Sequence, residues 1–154
     1  MHTLGIISDT HGYLDPKVPK LFAGVDQIIH AGDVGSPEIL LKLESIAPVT
    51  AVLGNTDYGL DLKLTESLLV NGWQCLVHHI VNPSLPPADI RDRLALSPAN
   101  AVFFGHTHKP HESVQEGVLY LNPGYAGKKR FKLSRSLALV HFGPTDQRID
   151  FMPL

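Results

Sequence analysis

The chain has little of several features that would place it in a specialised class of protein. Its 154 residues include one cysteine, which excludes a disulfide scaffold. The 13 lysines and arginines nearly balance the 15 aspartates and glutamates, so nothing predicts a nucleic-acid-binding tail. No apolar run approaches the roughly 20 residues that cross a bilayer, and no signal-peptide pattern is evident. We expect one cytoplasmic domain over 1–154, with no membrane contact and no specific nucleic-acid partner.

Histidine, by contrast, occurs nine times, and several copies lie where a packed core would not place them. The clearest case is His106 and His108 in the segment Gly-His-Thr-His, which directly follows the apolar run Ala101 to Phe104. Two imidazoles two residues apart, on a chain that is leaving a strand, can both reach one point beyond the strand's end. That arrangement suits a metal ion.

Four other apolar runs end in the same way, with a potential oxygen or nitrogen ligand at or just past the carboxyl end. Asp9 and His11 follow Leu4 to Ile7, Asp33 follows Gln27 to Ile29, Asn55 follows Val49 to Leu53, and His78 follows Cys75 to Val77. The carboxyl ends of parallel strands meet at one edge of a sheet, which is where ligands bind in open α/β folds. We therefore expect these side chains to converge.

The order of apolar runs and turn signals predicts an α/β protein. Strands are expected at 3–8, 27–30, 49–53, 65–70, 73–77, 101–104, 114–115, 118–121, 136–141 and 148–151. Helices are expected at 16–22, from Ser36-Pro37 to before Pro48, and after Pro87 through about Leu96. The alternation in the first half favours a parallel sheet, and the second half is richer in hairpins.

These residue types suit a pair of divalent cations. Asp33 is the natural bridging carboxylate, because Gly32 lets the backbone approach closely. Asp9 and His11 would complete the shell of one ion, and Asn55 and His78 that of the other, with His106 and His108 divided between the two ions. Mixed imidazole, carboxylate and amide ligands fit transition metals better than Mg or Ca. We expect manganese first, with iron, zinc and nickel as alternatives.

In this order, the blocks Asp-x-His, Gly-Asp, Gly-Asn, a His after an apolar strand, and Gly-His-x-His resemble the signature of the calcineurin-like metallophosphoesterases. Gly-Asn-x-Asp at 54–57 and Asn-Pro-Gly at 122–124 resemble its small YfcE-type phosphodiesterase branch. The resemblance implies a four-layer αββα sandwich of two mixed sheets flanked by helices, without a cap domain. It implies hydrolysis of phosphodiesters or phosphomonoesters by a metal-bridging hydroxide.

The same resemblance implies a role for each ligand residue. It assigns Asp9, His11, Asp33 and His108 to the first metal and Asp33, Asn55, His78 and His106 to the second. Of these, Asp33, Asn55 and His106 are the expected catalytic residues.

Three positions depart from the family pattern. Thr56 stands where many members have a His that protonates the leaving group, so good leaving groups such as aryl oxides should be favoured. His78-His79 replaces the usual His-Gly. Only His78 is matched to the family, while His79 either points to solvent, contacts substrate or crowds the site. Tyr125 replaces the usual Ser after Asn-Pro-Gly and could narrow the mouth or stack on an aryl group.

Several other residues are candidates for an outer role. His30 is expected to be structural or to hydrogen-bond a ligand carboxylate, and Asp57 to serve in a turn or around the metal shell. The basic run Lys128-Lys129-Arg130, with Lys132 and Arg135, is either a solvated loop or a rim that attracts phosphate. Trp73 and Tyr58 are expected in core or surface roles, with contact to a base as the alternative.

Two other functions remain open at this point. The family's fold also serves as a metal-free interaction scaffold in a retromer subunit, and such scaffolds lose ligands that this chain keeps. A nucleotide-specific phosphohydrolase is the other alternative. It would need a base pocket, and the chain has no insertion long enough for a cap, so the pocket must be shallow or completed by a neighbouring subunit. A small phosphoester is the expected substrate, and relatives suggest a homodimer or homotetramer.

Overall fold

The secondary structure follows the predicted order closely. The computed structural model describes residues 2–154, and within them all ten predicted strands and all three predicted helices are present. The strands are β1 (His2–Ile7), β2 (Gln27–His30), β3 (Val49–Ala51), β4 (Thr65–Val70), β5 (Trp73–His78), β6 (Ala101–Phe103), β7 (His111–Gln115), β8 (Val118–Asn122), β9 (Ser136–Phe142) and β10 (Gln147–Pro153). The helices are α1 (Val18–Leu21), α2 (Pro37–Glu44) and α3 (Ala88–Leu96).

Differences from the predicted bounds are confined to element ends. β3 stops at Ala51, because Val52 leaves the ladder to bridge Lys63 in the following loop. β7 begins at His111, three residues before the predicted Val114, since its pairing with β8 extends to Asn122. The apolar pattern marks which residues are buried, whereas the backbone pairing that defines an end leaves little trace in sequence.

The strands form two mixed five-stranded sheets. The first sheet has the order β10-β9-β1-β2-β3, in which β1, β2 and β3 are parallel. The second has the order β4-β5-β6-β8-β7, in which β5, β6 and β8 are parallel. Antiparallel hairpin strands complete both sheets, β9 with β10 in the first and β4 and β7 in the second.

Burial follows the strict alternation of side chains along each strand. Leu4 and Ile6 of β1 face the second sheet, where they pack in one core with Phe103 and Phe142. Ile7 faces the other way and packs with residues of α1 and α2. On the far side of the second sheet, Ile90 of α3 packs with Leu76, Val102 and Phe104. The layers therefore run helix, sheet, sheet, helix, which confirms the predicted αββα sandwich.

The parallel strands of the two sheets end at a shared edge, and backbone hydrogen bonds join the loops there. The loop after β1 is bonded to the loop after β2 through Asp9 N–H to Gly32 O (3.0 Å) and His11 N–H to Asp33 O (2.9 Å). The loop after β6 is bonded to the end of β5 through Gly105 N–H to His79 O (3.0 Å). This edge is the place where the predicted ligands meet.

None of the helices within 2–154 has the length and apolar character needed to cross a membrane.

Candidate metal centre

Six of the predicted ligand side chains lie together at the shared edge of the two sheets. They are Asp9, His11, Asp33, Asn55, His106 and His108. His108 Nε2 lies 3.3 Å from Asp9 Oδ1, although the two residues are 99 positions apart. His106 Nδ1 lies 3.1 Å from Asn55 Oδ1, which joins the loop after β6 to the loop after β3.

The seventh predicted ligand, His78, does not lie in this group, and His79 takes its place. His79 Nε2 is 3.2 Å from Asp33 Oδ2, 3.8 Å from Asp9 Oδ1 and 3.1 Å from Asn55 Oδ1. His78 instead bonds Thr65 Oγ1 through Nδ1 at 2.8 Å, and the Thr65 hydroxyl donates in turn to Asp89 of α3. The placement predicted for His78 is therefore corrected to His79.

The alternation of β5 gives the physical reason. Cys75 and Val77 face the core between the sheets, whereas Leu76 faces α3. Position 79 continues the first face and position 78 the second. His79 is accordingly buried, with 3% of its surface exposed, so the suggestion that it points to solvent is wrong. We call Asp9, His11, Asp33, Asn55, His79, His106 and His108 the ligand cluster.

Asp33 lies at the centre of the ligand cluster. Its Oδ2 is 3.7 Å from His11 Nε2 on one side and 3.2 Å from His79 Nε2 on the other. Its Oδ1 is held from outside, since the Thr56 N–H donates to it at 2.9 Å. One oxygen is thus anchored by the backbone while the other faces both histidines.

Asp9 is arranged in the same way. Its Oδ2 accepts hydrogen bonds from Ser8 Oγ (2.7 Å) and from the His106 N–H (3.1 Å). Its Oδ1 faces the ring nitrogens of His108 and His11, at 3.3 and 3.8 Å. The residue is fully buried, so water does not surround the inward oxygen. Ser8 was not singled out by its sequence, because a serine at a strand end has many ordinary roles.

The orientation of His79 indicates what lies between these groups. Its Nδ1 is 2.7 Å from the carbonyl oxygen of Ala31, and since a carbonyl only accepts, Nδ1 carries the proton. In the neutral imidazole, Nε2 then points a lone pair at carboxylate and amide oxygens. Lone pairs facing one another at about 3 Å are repulsive unless a cation lies between them. Metal-bound histidines are held by this same contact of the second ring nitrogen to a carbonyl.

Two unpaired atoms support the same conclusion. Among the described residues 2–154, four buried side-chain atoms have no hydrogen-bond partner, and two of them, Asp9 Oδ1 and His11 Nε2, belong to the ligand cluster. Buried polar groups are nearly always paired, and such exceptions call for an explanation. Ligand atoms lie within 4.8 Å of one another in two overlapping sets, Asp9-His11-His108 and Asp9-Asp33-His79. The donor set therefore fits transition-metal ions.

Backbone strain is concentrated at these loops. Five residues of the ligand cluster adopt positive φ angles between 47° and 74°: Asp9, His11, Asp33, His106 and His108. Such conformations cost of order 1–3 kcal/mol each for residues with a side chain and persist where surrounding structure enforces them. Here the chain turns sharply as soon as a strand ends, which aims the side chains inward.

Two glycines allow the loops to approach this closely. A Cβ atom on Gly54 would lie 2.0 Å from Asp33 Oδ1, and one on Gly105 would lie 2.1 Å from Ser8 Oγ and 2.7 Å from Asp9 Oδ2. Each glycine thus leaves space for a carboxylate that comes from a different strand end. The Gly-Asn and Gly-His-x-His blocks owe their glycines to this packing.

The surroundings of Asp33 and His108 keep both side chains in the protonation states that bind metals. Burial would raise the pKa of Asp33, but the hydrogen bonds from the backbone and side chain of Thr56 hold that pKa below its ordinary value. Burial lowers the pKa of His108 and outweighs the opposing effect of the Asp9 carboxylate. At neutral pH the carboxylate is therefore charged and the imidazole neutral, which is the state that metals bind.

His30 supports the loops without touching a ligand carboxylate. The Gly32 N–H donates to its Nδ1 at 3.2 Å, so the proton is on Nε2, which donates to Thr10 Oγ1 at 2.9 Å. The Thr10 hydroxyl then donates to Val34 O. Burial lowers the pKa of His30 to about 3. Of the two roles considered for His30, the structural one is found.

Asp57 and Asn122 hold the loops in a similar manner. The Asp57 carboxylate accepts hydrogen bonds from the N–H groups of Val34, Gly35 and Gly54, and so joins the loops after β2 and β3. The buried Asn122 side chain donates from Nδ2 to Gly105 O at 2.9 Å, which fixes the turn that carries His106 and His108. The Asn-Pro-Gly block thus has a structural role that the sequence did not reveal.

Tyr125 does not line an open mouth. Only 1% of its surface is exposed, and its ring packs on the His108 ring at 4.8 Å between centroids. Its hydroxyl donates to Lys128 O, and the Arg130 guanidinium covers the ring at 5.2 Å. The expectation that Tyr125 narrows the mouth or stacks on an aryl group is therefore wrong, because the loop that follows it folds over the ring.

The basic run divides into structural and exposed members. Arg135 is half-buried, pairs with Asp15 at 2.8 Å and donates to Gly127 O. Lys128, Lys129 and Lys132 are exposed. Among the other aromatic candidates, Trp73 packs on Phe142 in the core at 5.5 Å, and Tyr58 is 96% exposed at the surface.

The protein-family model of the calcineurin-like phosphoesterase superfamily domain matches residues 2–144 of the sequence. This chain belongs to that superfamily. A probable metallophosphoesterase of Methanothermobacter thermautotrophicus is 35% identical to it over 129 residues, which cover 79% of this chain and 75% of the relative. Membership in the calcineurin-like superfamily implies a hydrolase that acts on phosphoesters.

Solved structures share the fold of this calcineurin-like domain. Vps29 of Entamoeba histolytica, crystallised as a complex with Zn²⁺, has a TM-score of 0.76 at 19% identity, with 98% of each chain covered. A novel archaeal phosphodiesterase has a TM-score of 0.74 at 20% identity, with 97% of this chain and 99% of the other covered. At these identities the likeness establishes the architecture, and the activity has to be argued from the residues.

The neighbouring histidines of β5 offer a matched pair of substitutions. Because only His79 faces Asp33 and Asp9, we expect His79→Asn to weaken Zn²⁺ binding by at least about tenfold. The same change at His78 should leave the affinity within about twofold. Calorimetric titration of the metal-free proteins measures both affinities. Equal losses, or a loss confined to the His78 variant, would contradict the placement.

The buried neutral His30 makes stability depend on pH. The folded-state pKa of about 3 lies below the ordinary 6.5, so the unfolded chain binds the extra proton. The resulting stability is complete above pH 6.5 and is lost as the pH falls toward 3. Between pH 7.5 and 5.5 the metal-free wild type should lose roughly 1–2 kcal/mol more than His30→Asn in urea unfolding. Parallel pH profiles would show that His30 titrates normally.

Proposed function

We propose that this chain is a metal-dependent phosphodiesterase. The observation that carries the proposal is the position of Asp33 Oδ2 between His11 Nε2 and His79 Nε2, at 3.7 and 3.2 Å. A single carboxylate oxygen that faces nitrogen ligands on both sides is placed to serve two cations. Membership in a phosphoesterase family gives that arrangement its chemistry.

Two divalent transition-metal ions would fit the ligand cluster, manganese first, with iron, zinc or nickel as alternatives. Asp9, His11, Asp33 and His108 would hold one ion, and Asp33, Asn55, His79 and His106 the other. When bound, such a pair of ions supplies a hydroxide nucleophile at neutral pH and neutralises charge on the phosphoryl group. The chain's own task is to hold seven ligand atoms in place.

Asp33, Asn55 and His106 would be the catalytic residues. Asp33 and Asp9 are buried, whereas Asn55 and His106 are exposed on the open side of the cluster. A phosphoryl group would therefore approach most openly where Asn55 and His106 face solvent, since the side chains of His11 and His108 are only 26% and 24% exposed. We place His106 in contact with a phosphoryl oxygen of the substrate, with the His106 N–H bond to Asp9 Oδ2 fixing its position.

The alternative from a different class is a protein-interaction scaffold, because fold neighbours include Vps29. Metal binding does not separate the two, since that neighbour was itself crystallised with Zn²⁺. The enzyme is favoured by the convergence of seven ligand side chains and by their strained backbone, which a binding surface does not need. Catalytic turnover is therefore the property that distinguishes an enzyme from a scaffold.

Removal of the shared carboxylate tests the enzyme. We expect Asp33→Ala to lower kcat for bis(p-nitrophenyl) phosphate with Mn²⁺ by at least about a hundredfold. The control is Asp92→Ala, which removes an exposed carboxylate on α3 and should change kcat less than about twofold. Full activity in Asp33→Ala, or no turnover by the wild type across a panel of mono- and diesters, would leave the scaffold as the better assignment.

Thr56 makes a prediction about the leaving group. A threonine hydroxyl does not protonate a departing alkoxide near neutral pH, so the rate should fall steeply as the leaving group becomes more basic. We expect Thr56→His to raise kcat for methyl phenyl phosphate by about tenfold or more and to change methyl p-nitrophenyl phosphate little. The backbone N–H bond to Asp33 is kept in Thr56→His, whereas the Thr56 side-chain bond to Asp33 is lost.

Thr56→Gln is the matched control, because it adds a polar side chain without a titrating proton. A gain of equal size in Thr56→Gln would show that bulk or polarity, rather than proton donation, limits the reaction.

A further inference from the structure

A cavity of about 540 Å³ lies directly beside the ligand cluster and takes no part in holding it. It opens between the segment after β5 and the turn after β6, and His106 belongs both to its wall and to the cluster. Its size is in the range that proteins use for small organic groups. A phosphoester whose phosphoryl group reaches His106 would therefore extend a substituent into it.

The walls of this cavity, which we call the His106 pocket, are mainly apolar. Ile80, Val81, Phe104 and Pro110 contribute to the lining. Ile80 is 45% exposed, and Val81 and Phe104 form a buried floor. The surface is one that favours a flat, apolar group over water.

Several polar atoms of the pocket are already engaged within the protein. Asn82 Oδ1 accepts the Ser84 N–H at 3.0 Å. Thr107 Oγ1 accepts from Asn122 Nδ2 at 3.1 Å, and His111 Nε2 is bonded to Ser113 Oγ at 2.8 Å. A pocket that distinguishes nucleobases needs several free donors and acceptors that converge on the base edge. Asn82 Oδ1, Thr107 Oγ1 and His111 Nε2 are therefore already occupied, which leaves few groups to read a base edge.

Lys109 is the one lysine or arginine among the residues that line the pocket, and no aspartate or glutamate is among them. Its exposed side chain gives the mouth a positive charge. Such a charge attracts an anionic phosphodiester without selecting its organic part.

We propose that the His106 pocket binds a planar aromatic ester group of the phosphodiester by its faces and does not read its polar edge. The substrate class is then an aryl or nucleoside diester, taken with little regard to the identity of the ring. This inference rests on the proposed phosphodiesterase activity and names its substrate, against the alternative of a nucleotide-specific enzyme.

The test compares two diesters that release the same p-nitrophenolate. Bis(p-nitrophenyl) phosphate carries a second aryl group, whereas methyl p-nitrophenyl phosphate carries none. We expect Ile80→Asp to lower kcat/KM for the first by about tenfold and for the second by less than about twofold. The ratio of kcat/KM for the aryl diester to kcat/KM for the methyl diester is compared between proteins, so the intrinsic reactivities of the two diesters cancel. Leu85→Asp, at an exposed leucine outside the pocket, is the matched control and should leave the ratio unchanged.

Three further measurements test the result. Because Ile80 directly follows His79, Ile80→Asp could also disturb that ligand. Pro110→Asp, on a different segment of the pocket wall, avoids this and should show the same loss for the aryl diester. In the Zn²⁺-loaded protein, phenylphosphonate should shift the backbone NMR signals of Ile80, Val81 and Lys109, and methylphosphonate should not. For p-nitrophenyl esters of thymidine and guanosine 5′-monophosphate, kcat/KM should differ by less than about threefold.

The outcomes separate the two proposals. If the wild type hydrolyses none of these diesters, the phosphodiesterase assignment fails. If it hydrolyses them but both pocket variants keep the aryl-to-methyl ratio, or one nucleobase is preferred by more than about tenfold, only the pocket assignment is overturned.

Discussion

The structure depends on holding electron-rich atoms against one another. Asp9 Oδ1, Asp33 Oδ2 and His79 Nε2 converge within 4.8 Å in the core of the ligand cluster, and no proton is available to join them when His79 is neutral. Each is kept in place through its other polar atom. Thr56 N–H holds Asp33, His106 N–H and Ser8 hold Asp9, and the Ala31 carbonyl holds His79. The fold therefore stores a repulsion that cations would relieve.

That constraint accounts for the use of two mixed sheets. Asp9, Asp33 and Asn55 come from the ends of parallel strands in the first sheet, and His79, His106 and His108 from the second. A single sheet would place its strand ends in a row about 4.8 Å apart. Two sheets packed face to face bring the ligands of the first sheet, which include His11, opposite the three histidines of the second, so that ions could bind between them.

The sequence was sufficient for the fold and for most of the site, because both follow from periodic burial and from polar residues at strand ends. Six of the seven clustered side chains could be found in this way. The apolar run that ends at Val77 and the His-Gly pattern of the family both favour His78 over His79. The alternation of β5 assigns position 79 to the inner face with Cys75 and Val77. Assigning each residue of β5 to one face of the strand would have identified His79.

The residues that could not be predicted act through long-range geometry. Tyr125 is buried because the loop after it returns and places Arg130 over its ring, a contact that no local pattern encodes. Asn122 and Asp57 bind backbone groups of distant loops, and their partners are known only once the loops are folded. Positive φ angles at five ligand residues are likewise imposed by the packing around them.

The two sides of the ligand cluster differ, and the difference fixes how a substrate can bind. On the His108 side, the Tyr125 ring packs on the His108 ring and the Arg130 guanidinium covers Tyr125, and the side chains of His11 and His108 remain 26% and 24% exposed. On the opposite side, Asn55 and His106 are exposed and the His106 pocket opens next to them. In the proposed reaction, a diester would reach the buried carboxylates past Asn55 and His106, with one substituent toward the pocket. The shape of the site would then set the orientation of the phosphorus.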